Sequence, residues 1–170
     1  AINEGGIIIN TCFDNVVKSE CETAFTEALK TFRHAMSKHI SEKGIMDSAT
    51  LEAIFRETED NAMAIYEKIA AGKEKHAYEM DLKRNIRMEY ENIKEKLKNT
   101  SSVFCSRVFA DVCTSYDKKV AECKSIDKLE KYVQEISTQY NLAAKGSEKS
   151  TIFSLNLPKW LLNSSRVIVA

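Results

Sequence analysis

The chain has 170 residues, of which 44% are hydrophobic and 29% charged, a composition that is ordinary for one soluble globular domain with its own core. Its 25 Lys and Arg residues balance its 25 Asp and Glu residues. This balance disfavours nucleic acid as a partner, because phosphate binding usually needs an excess of positive charge. One proline and five glycines leave few positions that interrupt a helix, so the composition favours long helices.

The five cysteines indicate reduced thiols in a reducing compartment. They are odd in number, no C-x-x-C pair occurs, and a thiol on the apolar side of a helix acts as a small hydrophobic group. The sequence has no signal peptide and no apolar run of about eighteen residues. We therefore expect an intracellular, cytoplasmic protein. The chain begins with Ala1 and not with Met, which fits removal of a first residue and fits at least as well a segment of a longer protein.

Apolar residues at steps of three and four predict helices along most of the chain. Residues 1–10, which contain Gly5 and three consecutive isoleucines, are expected to form a short extended entry segment. A first helix is predicted over residues 11–40 and a second over residues 47–71. Gly72 is expected to end the second helix, because glycine adopts the left-handed conformation with little strain.

Residues 73–123 allow two interpretations, one long helix or two. Residues 99–102 are polar but contain no Gly or Pro, and this favours continuity. A further helix is predicted from Ser125 or Asp127 up to Gly146. Because the connections are short, neighbouring helices should pack antiparallel. The predicted fold is all-α, an elongated bundle of about five antiparallel helices over residues 1–146.

Residues 147–170 differ from the rest and are predicted to be an irregular C-terminal tail. They contain the only proline and the only tryptophan, and they show no regular helical period. Three interpretations remain open: a tail packed back onto the bundle, a membrane-surface or partner-binding segment, and disorder.

The sequence lacks the patterns that catalysis or cofactor binding would require. The Gly5-Gly6 pair has no following lysine, so a phosphate-binding loop is not predicted. The three histidines form neither an H-E-x-x-H nor a Glu-x-x-His pattern, and no paired Cys and His occur at zinc-ligand spacing. We predict no catalytic, cofactor-binding or metal-ligating residue in this chain.

Several short motifs nevertheless occur in a familiar order. Ala1-Ile2-Asn3 is followed by a glycine and by D-N-V-V, and other, different motifs lie at residues 28–36, 50–56, 61–66, 107–109 and 129–140. In these motifs and in the order of its helices, the chain resembles the C-terminal helical region of guanylate-binding proteins, large GTPases of the dynamin superfamily. The resemblance covers about residues 1–142. Residues 147–170 match no motif of that family, and the last residues lack the cysteine that prenylation needs.

The resemblance implies a non-catalytic helical stalk of a larger GTPase, here called the parent protein. Its partner would be the parent's own N-terminal GTPase domain, which would hold GTP and magnesium. Nucleotide-driven assembly into a homodimer or oligomer would move the stalk, and we also expect contact at the periphery of a membrane. For self-contact the predicted residues are Lys83, Arg84 and Arg87.

Two alternative functions belong to other functional classes. A free-standing helical adaptor that binds a protein partner would have the same composition. An enzyme with an unrecognised site is the third hypothesis, and nucleotide turnover by the purified chain would support it.

Overall fold

The protein is described by a computed structural model that gives the backbone of residues 2–169 and the side chains of residues 5–164. The described residues form helices and no strand, which confirms the predicted all-α class. The helices are α1 (Ile2–Lys43), α2 (Ser48–Ile69), α3 (Lys75–Thr114), α4 (Asp117–Ala121), α5 (Ile126–Ala143) and α6 (Lys149–Val169).

The expected extended segment over residues 1–10 is wrong for residues 2–10, where α1 is already helical; Ala1 lies outside the described residues. No proline interrupts this stretch, and the two glycines lower the helix propensity without preventing the helix. The Thr11 hydroxyl donates to the carbonyl of Ile7 at 2.8 Å. The side chains of residues 5–16 are all exposed.

The preference for continuity through residues 99–102 is confirmed, because α3 is one helix of 40 residues. Two hydroxyls of this stretch are hydrogen-bonded. Thr100 donates to the carbonyl of Lys96 at 2.9 Å, while the buried Ser101 donates to the carbonyl of Lys145 at 3.1 Å. The break comes later, between α3 and the short α4.

The prediction of an irregular tail is wrong, because residues 149–169 form α6. Pro158 lies inside this helix, where it removes one backbone hydrogen bond and would be expected to break it. Packing outweighs that loss. Ile152 is buried, and the partly buried Phe153, Leu157 and Trp160 lie against the same core, so tertiary contacts stabilise a helix that its sequence propensity does not favour.

The chain divides into two compact units. Unit 1 comprises Ala1–Gly44 and Ala49–Lys94, and unit 2 comprises Ile45–Ser48 and Glu95–Ala170. The core of unit 1 includes Phe32, Phe55, Tyr66, Ile86 and Tyr90, all buried.

The core of unit 2 is built from α3, α4, α5 and α6. Its buried residues include Cys105, Cys113, Val120, Ile136 and Tyr140.

The buried hydroxyl of Tyr140, in the core of unit 2, has a hydrogen-bond partner. The Tyr140 hydroxyl donates to the carbonyl of Lys149 at 2.7 Å, where α6 begins. Its ring lies 6.1 Å from that of Phe109 and 5.0 Å from that of Phe153. Burial raises the pKa of Tyr140, so this hydroxyl keeps its proton and remains a donor.

The burial pattern predicts how the five thiols react. Cys12 is exposed and Cys123 half-buried, whereas Cys21, Cys105 and Cys113 are buried, and burial raises the pKa of Cys113 to about 12. With a thiol-disulfide reagent at neutral pH, Cys12 should react first, Cys123 more slowly and the other three only after unfolding. Replacing Cys12 by serine should remove the fast phase. Rapid reaction of the buried thiols in the folded chain would contradict the described cores.

Candidate functional site

The three residues predicted for self-contact lie in the first half of α3. Lys83, Arg84 and Arg87 are all exposed. In a helix with 3.6 residues per turn, these positions fall within an arc of about 100°. The structure therefore brings the three cations together on one sector of the helix.

The orientation of this sector is fixed by the buried residues of the same helix. Leu82, Ile86 and Tyr90 follow one another at steps of four and are buried in unit 1. The Tyr90 ring stacks on Phe55 with 3.9 Å between centroids. Its hydroxyl donates to Glu52 Oε2 at 2.7 Å, and this hydrogen bond lowers the pKa of the Glu52 carboxyl. With one side of α3 anchored in this way, the cations must point outward.

Two of the cations have carboxylate partners on their own helix. Lys83 Nζ lies 2.5 Å from Glu79 Oε1, and this hydrogen bond raises the pKa of Lys83 and lowers that of Glu79. His76 Nδ1 lies 3.6 Å from the other oxygen of Glu79. Arg84 Nη1 lies 3.3 Å from Asp81 Oδ1. Exposed pairs of this kind contribute little stability, so a partner's carboxylates could replace them.

Arg87 contacts another helix. Its guanidinium lies 5.4 Å from the centre of the Phe55 ring of α2, a cation–π contact that holds the stem in place. The guanidinium remains exposed. A planar, weakly hydrated cation held in one position is well suited to bind a carboxylate of a partner.

Two residues that the sequence reasoning missed extend this sector. The Met80 side chain is 52% exposed and that of Met88 is 60% exposed. Both fall on the same side of α3 as Arg84 and Arg87, at steps of four from Arg84. The α3 surface, as we call it, consists of Met80, Lys83, Arg84, Arg87 and Met88. Exposed methionine beside arginine is typical of surfaces that bind proteins.

The other titratable groups are candidates for metal ligands. Among the described residues no three His, Cys, Asp or Glu side chains cluster as metal ligands would. His34 is exposed, and the buried Nδ1 of His39 has no hydrogen-bond partner. No described helix is both long and apolar enough to cross a membrane.

A comparison with known protein families matches residues 1–167 to the guanylate-binding protein C-terminal domain. The chain belongs to that family. The suspected resemblance is thereby confirmed over more of the chain than the motifs covered, because the match includes α6. The guanylate-binding protein C-terminal domain is a helical, non-catalytic domain.

The comparison with curated proteins found no match, and neither did the comparison with solved structures.

Proposed function

We propose that this guanylate-binding protein C-terminal domain is the stalk of a larger GTPase and relays its nucleotide-dependent assembly. The observation that carries the proposal is the family match over residues 1–167. The parent's N-terminal domain would bind GTP and magnesium and hydrolyse the nucleotide. The stalk would supply contacts between copies and at the periphery of a membrane.

The α3 surface supports the self-contact part of the proposal. It presents three cations beside two methionines. The carboxylates that pair with Lys83 and Arg84 are exposed or half-buried, so carboxylates of a second copy can take their place. The buried stripe of Leu82, Ile86 and Tyr90 gives the surface a rigid support, because a close-packed core resists deformation.

Charge reversal tests this proposal in the parent protein. The triple variant Lys83→Glu, Arg84→Glu and Arg87→Glu should keep its helicity, because all three side chains are exposed. In the presence of a slowly hydrolysed GTP analogue, we expect light scattering to show assembly of the unaltered parent and to show monomers of the variant. Lost cation contacts with a partner should weaken association by at least about tenfold.

A matched control makes the same change of charge on another helix. Lys30, Lys38 and Lys43 of α1 are exposed, and their replacement by glutamate should leave assembly intact. Unchanged assembly of the α3 variant would refute the assignment of the α3 surface. Loss of assembly in both variants would show an effect of net charge, and it would also refute the assignment of self-contact to the α3 surface.

A further inference from the structure

A cavity in unit 2 opens at the connection of α4 to α5, and its volume is about 350 Å³. Residues of α4, of the connection and of the first two turns of α5 line this cavity. They include three lysines, two residues with hydroxyl groups and one cysteine: Lys119, Lys124, Lys128, Ser125, Tyr132 and Cys123. A cavity of this volume admits a small molecule.

The charge that lines the cavity is mainly positive. The three lysines stand against the single carboxylate of Glu122. The ion pairs among the described residues all join positions between Arg33 and Lys94, so none of the three lysines is neutralised by a salt bridge. Like charges gathered around one cavity repel one another, and an anion bound in the cavity would offset that repulsion.

The connection between the two helices adds hydrogen-bond donors to the cavity. Ser125 directly precedes α5, and its hydroxyl makes no capping hydrogen bond to that helix. The first backbone N–H groups of a helix have no partner within the helix, and together with the helix dipole they favour negative charge. The connection is held by Cys123, whose Sγ donates to the carbonyl of Ser125 at 3.2 Å. This end of α5 therefore adds to the attraction that the lysines exert on an anion.

The position of Lys119 is fixed by aromatic packing beneath it. Its Nζ lies 4.9 Å from the centre of the Tyr116 ring, and that ring lies 6.1 Å from the ring of Tyr132. Tyr116 is itself buried. Its hydroxyl donates to Glu135 Oε2 at 3.1 Å and accepts from Gln139 Nε2 at 2.9 Å. One wall of the cavity is thus built before any ligand arrives.

The excess of positive charge is confined to the cavity. Residues 117–131 contain five lysines and four acidic residues, so the region as a whole is almost neutral. An extended polyanion or a charged surface would meet both signs of charge there. A ligand small enough to enter the cavity would meet three lysines and one carboxylate.

We propose that this cavity binds a small soluble organic phosphate that carries two or more phosphate groups. Phosphate oxygens accept hydrogen bonds from ammonium and hydroxyl groups, and charge-assisted hydrogen bonds of this kind are strong. Several phosphate groups would use all three lysines, which a ligand with a single carboxylate would not. The inference goes beyond the proposed function, because it gives the stalk a ligand of its own.

Isothermal titration calorimetry of the 170-residue chain with inositol trisphosphate, in the absence of guanine nucleotide, tests the inference. We expect one molecule to bind per chain, with an affinity that falls as salt is added. The triple variant Lys119→Gln, Lys124→Gln and Lys128→Gln should bind at least about tenfold more weakly. Its helicity, checked by circular dichroism, should be unchanged, because all three side chains are exposed.

The thiol of Cys123 reports where the ligand binds. Cys123 lines the cavity and is half-buried. Bound inositol trisphosphate should therefore slow its reaction with an anionic aromatic disulfide at least about threefold. The reaction of Cys12, which is exposed on α1, should keep its rate and serves as the internal control. An unchanged rate at Cys123 in the saturated chain would place the ligand elsewhere and overturn the inference.

A matched control removes the same charge from other positions of unit 2. Lys96→Gln, Lys98→Gln and Lys145→Gln change exposed lysines that do not line the cavity, and binding should be unaffected. Equal weakening in both triple variants, or no saturable binding to the unaltered chain, would overturn the inference. Binding to vesicles with inositol phosphate headgroups, but not to free inositol trisphosphate, would also overturn it. Because no guanine nucleotide is present, none of these results bears on the GTP-dependent assembly test.

Discussion

Replacing Phe55 by alanine is expected to lower the free energy of unfolding by about 3–5 kcal/mol, the usual cost of removing a buried aromatic side chain. Phe55 is 2% exposed. Its ring stacks on Tyr90 and meets Phe32 edge to face, with 6.1 Å between centroids. The substitution would leave a cavity at the centre of unit 1 and would remove the aromatic face beneath Arg87. Urea denaturation followed by circular dichroism measures the change.

Phe13→Ala is the matched control for this prediction. The Phe13 side chain is 66% exposed on α1, so its truncation removes the same atoms without a buried cavity. We expect its stability to change by less than about 0.5 kcal/mol. Equal effects of the two substitutions would show that the core of unit 1 is not packed as described.

The second large effect is expected at the connection between α5 and α6. Gly146 has a φ angle of 100°, a conformation that side chains rarely adopt. A Cβ atom there would lie 2.3 Å from Ser101 Oγ and 2.6 Å from Ile45 Cγ2. Gly146→Ala should therefore destabilise unit 2 by about 2–4 kcal/mol, because backbone strain adds to overpacking. The same urea titration, compared with the unaltered chain, gives the value.

The hydrogen bonds of Ser101 explain why its hydroxyl lies so close to Gly146. Its hydroxyl donates to the carbonyl of Lys145 and accepts from the backbone N–H of Glu148, each at 3.1 Å. A methyl group at position 146 would push the buried hydroxyl away from both partners. Gly5→Ala is the control, since nothing lies within 4 Å of a Cβ atom there, and it should be neutral or slightly stabilising. A neutral Gly146→Ala would contradict the close contact.

The sequence predicted the elements whose ends are marked by specific residues. The second helix was expected over residues 47–71 and is observed as Ser48–Ile69, followed by Gly72 with a φ angle of 86°. The third was expected to continue through residues 99–102 because they lack Gly and Pro, and it does. These features are local, so the sequence contains the information they need.

The sequence could not show which apolar faces are covered. Phe13 and Val16 follow a helical period, yet they are 66% and 58% exposed. A period identifies a face of a helix, but only the tertiary structure decides whether another element packs on it. The same reason applies to Met80. For α6 the error was the reverse. No helix was predicted over residues 147–170, which contain Pro158, yet contacts with the core stabilise one.

The candidate site was predictable in part. The spacing of Lys83, Arg84 and Arg87 places them on one side of a helix, and the partners Glu79 and Asp81 lie within four residues. The ring of Phe55 beneath Arg87 belongs to another helix, and no local pattern indicates that pair. The exposed methionines were found only from their accessibility.

The size and activity of the native polypeptide test the central claim most directly. An antibody raised against this chain would be used on a denaturing blot of the source cell and then to isolate the recognised protein for a GTP hydrolysis assay. We predict a band well above the 19.3 kDa of this chain and GTP hydrolysis by the isolated protein. A single band at 19.3 kDa without GTP hydrolysis would contradict the stalk and support the free-standing adaptor.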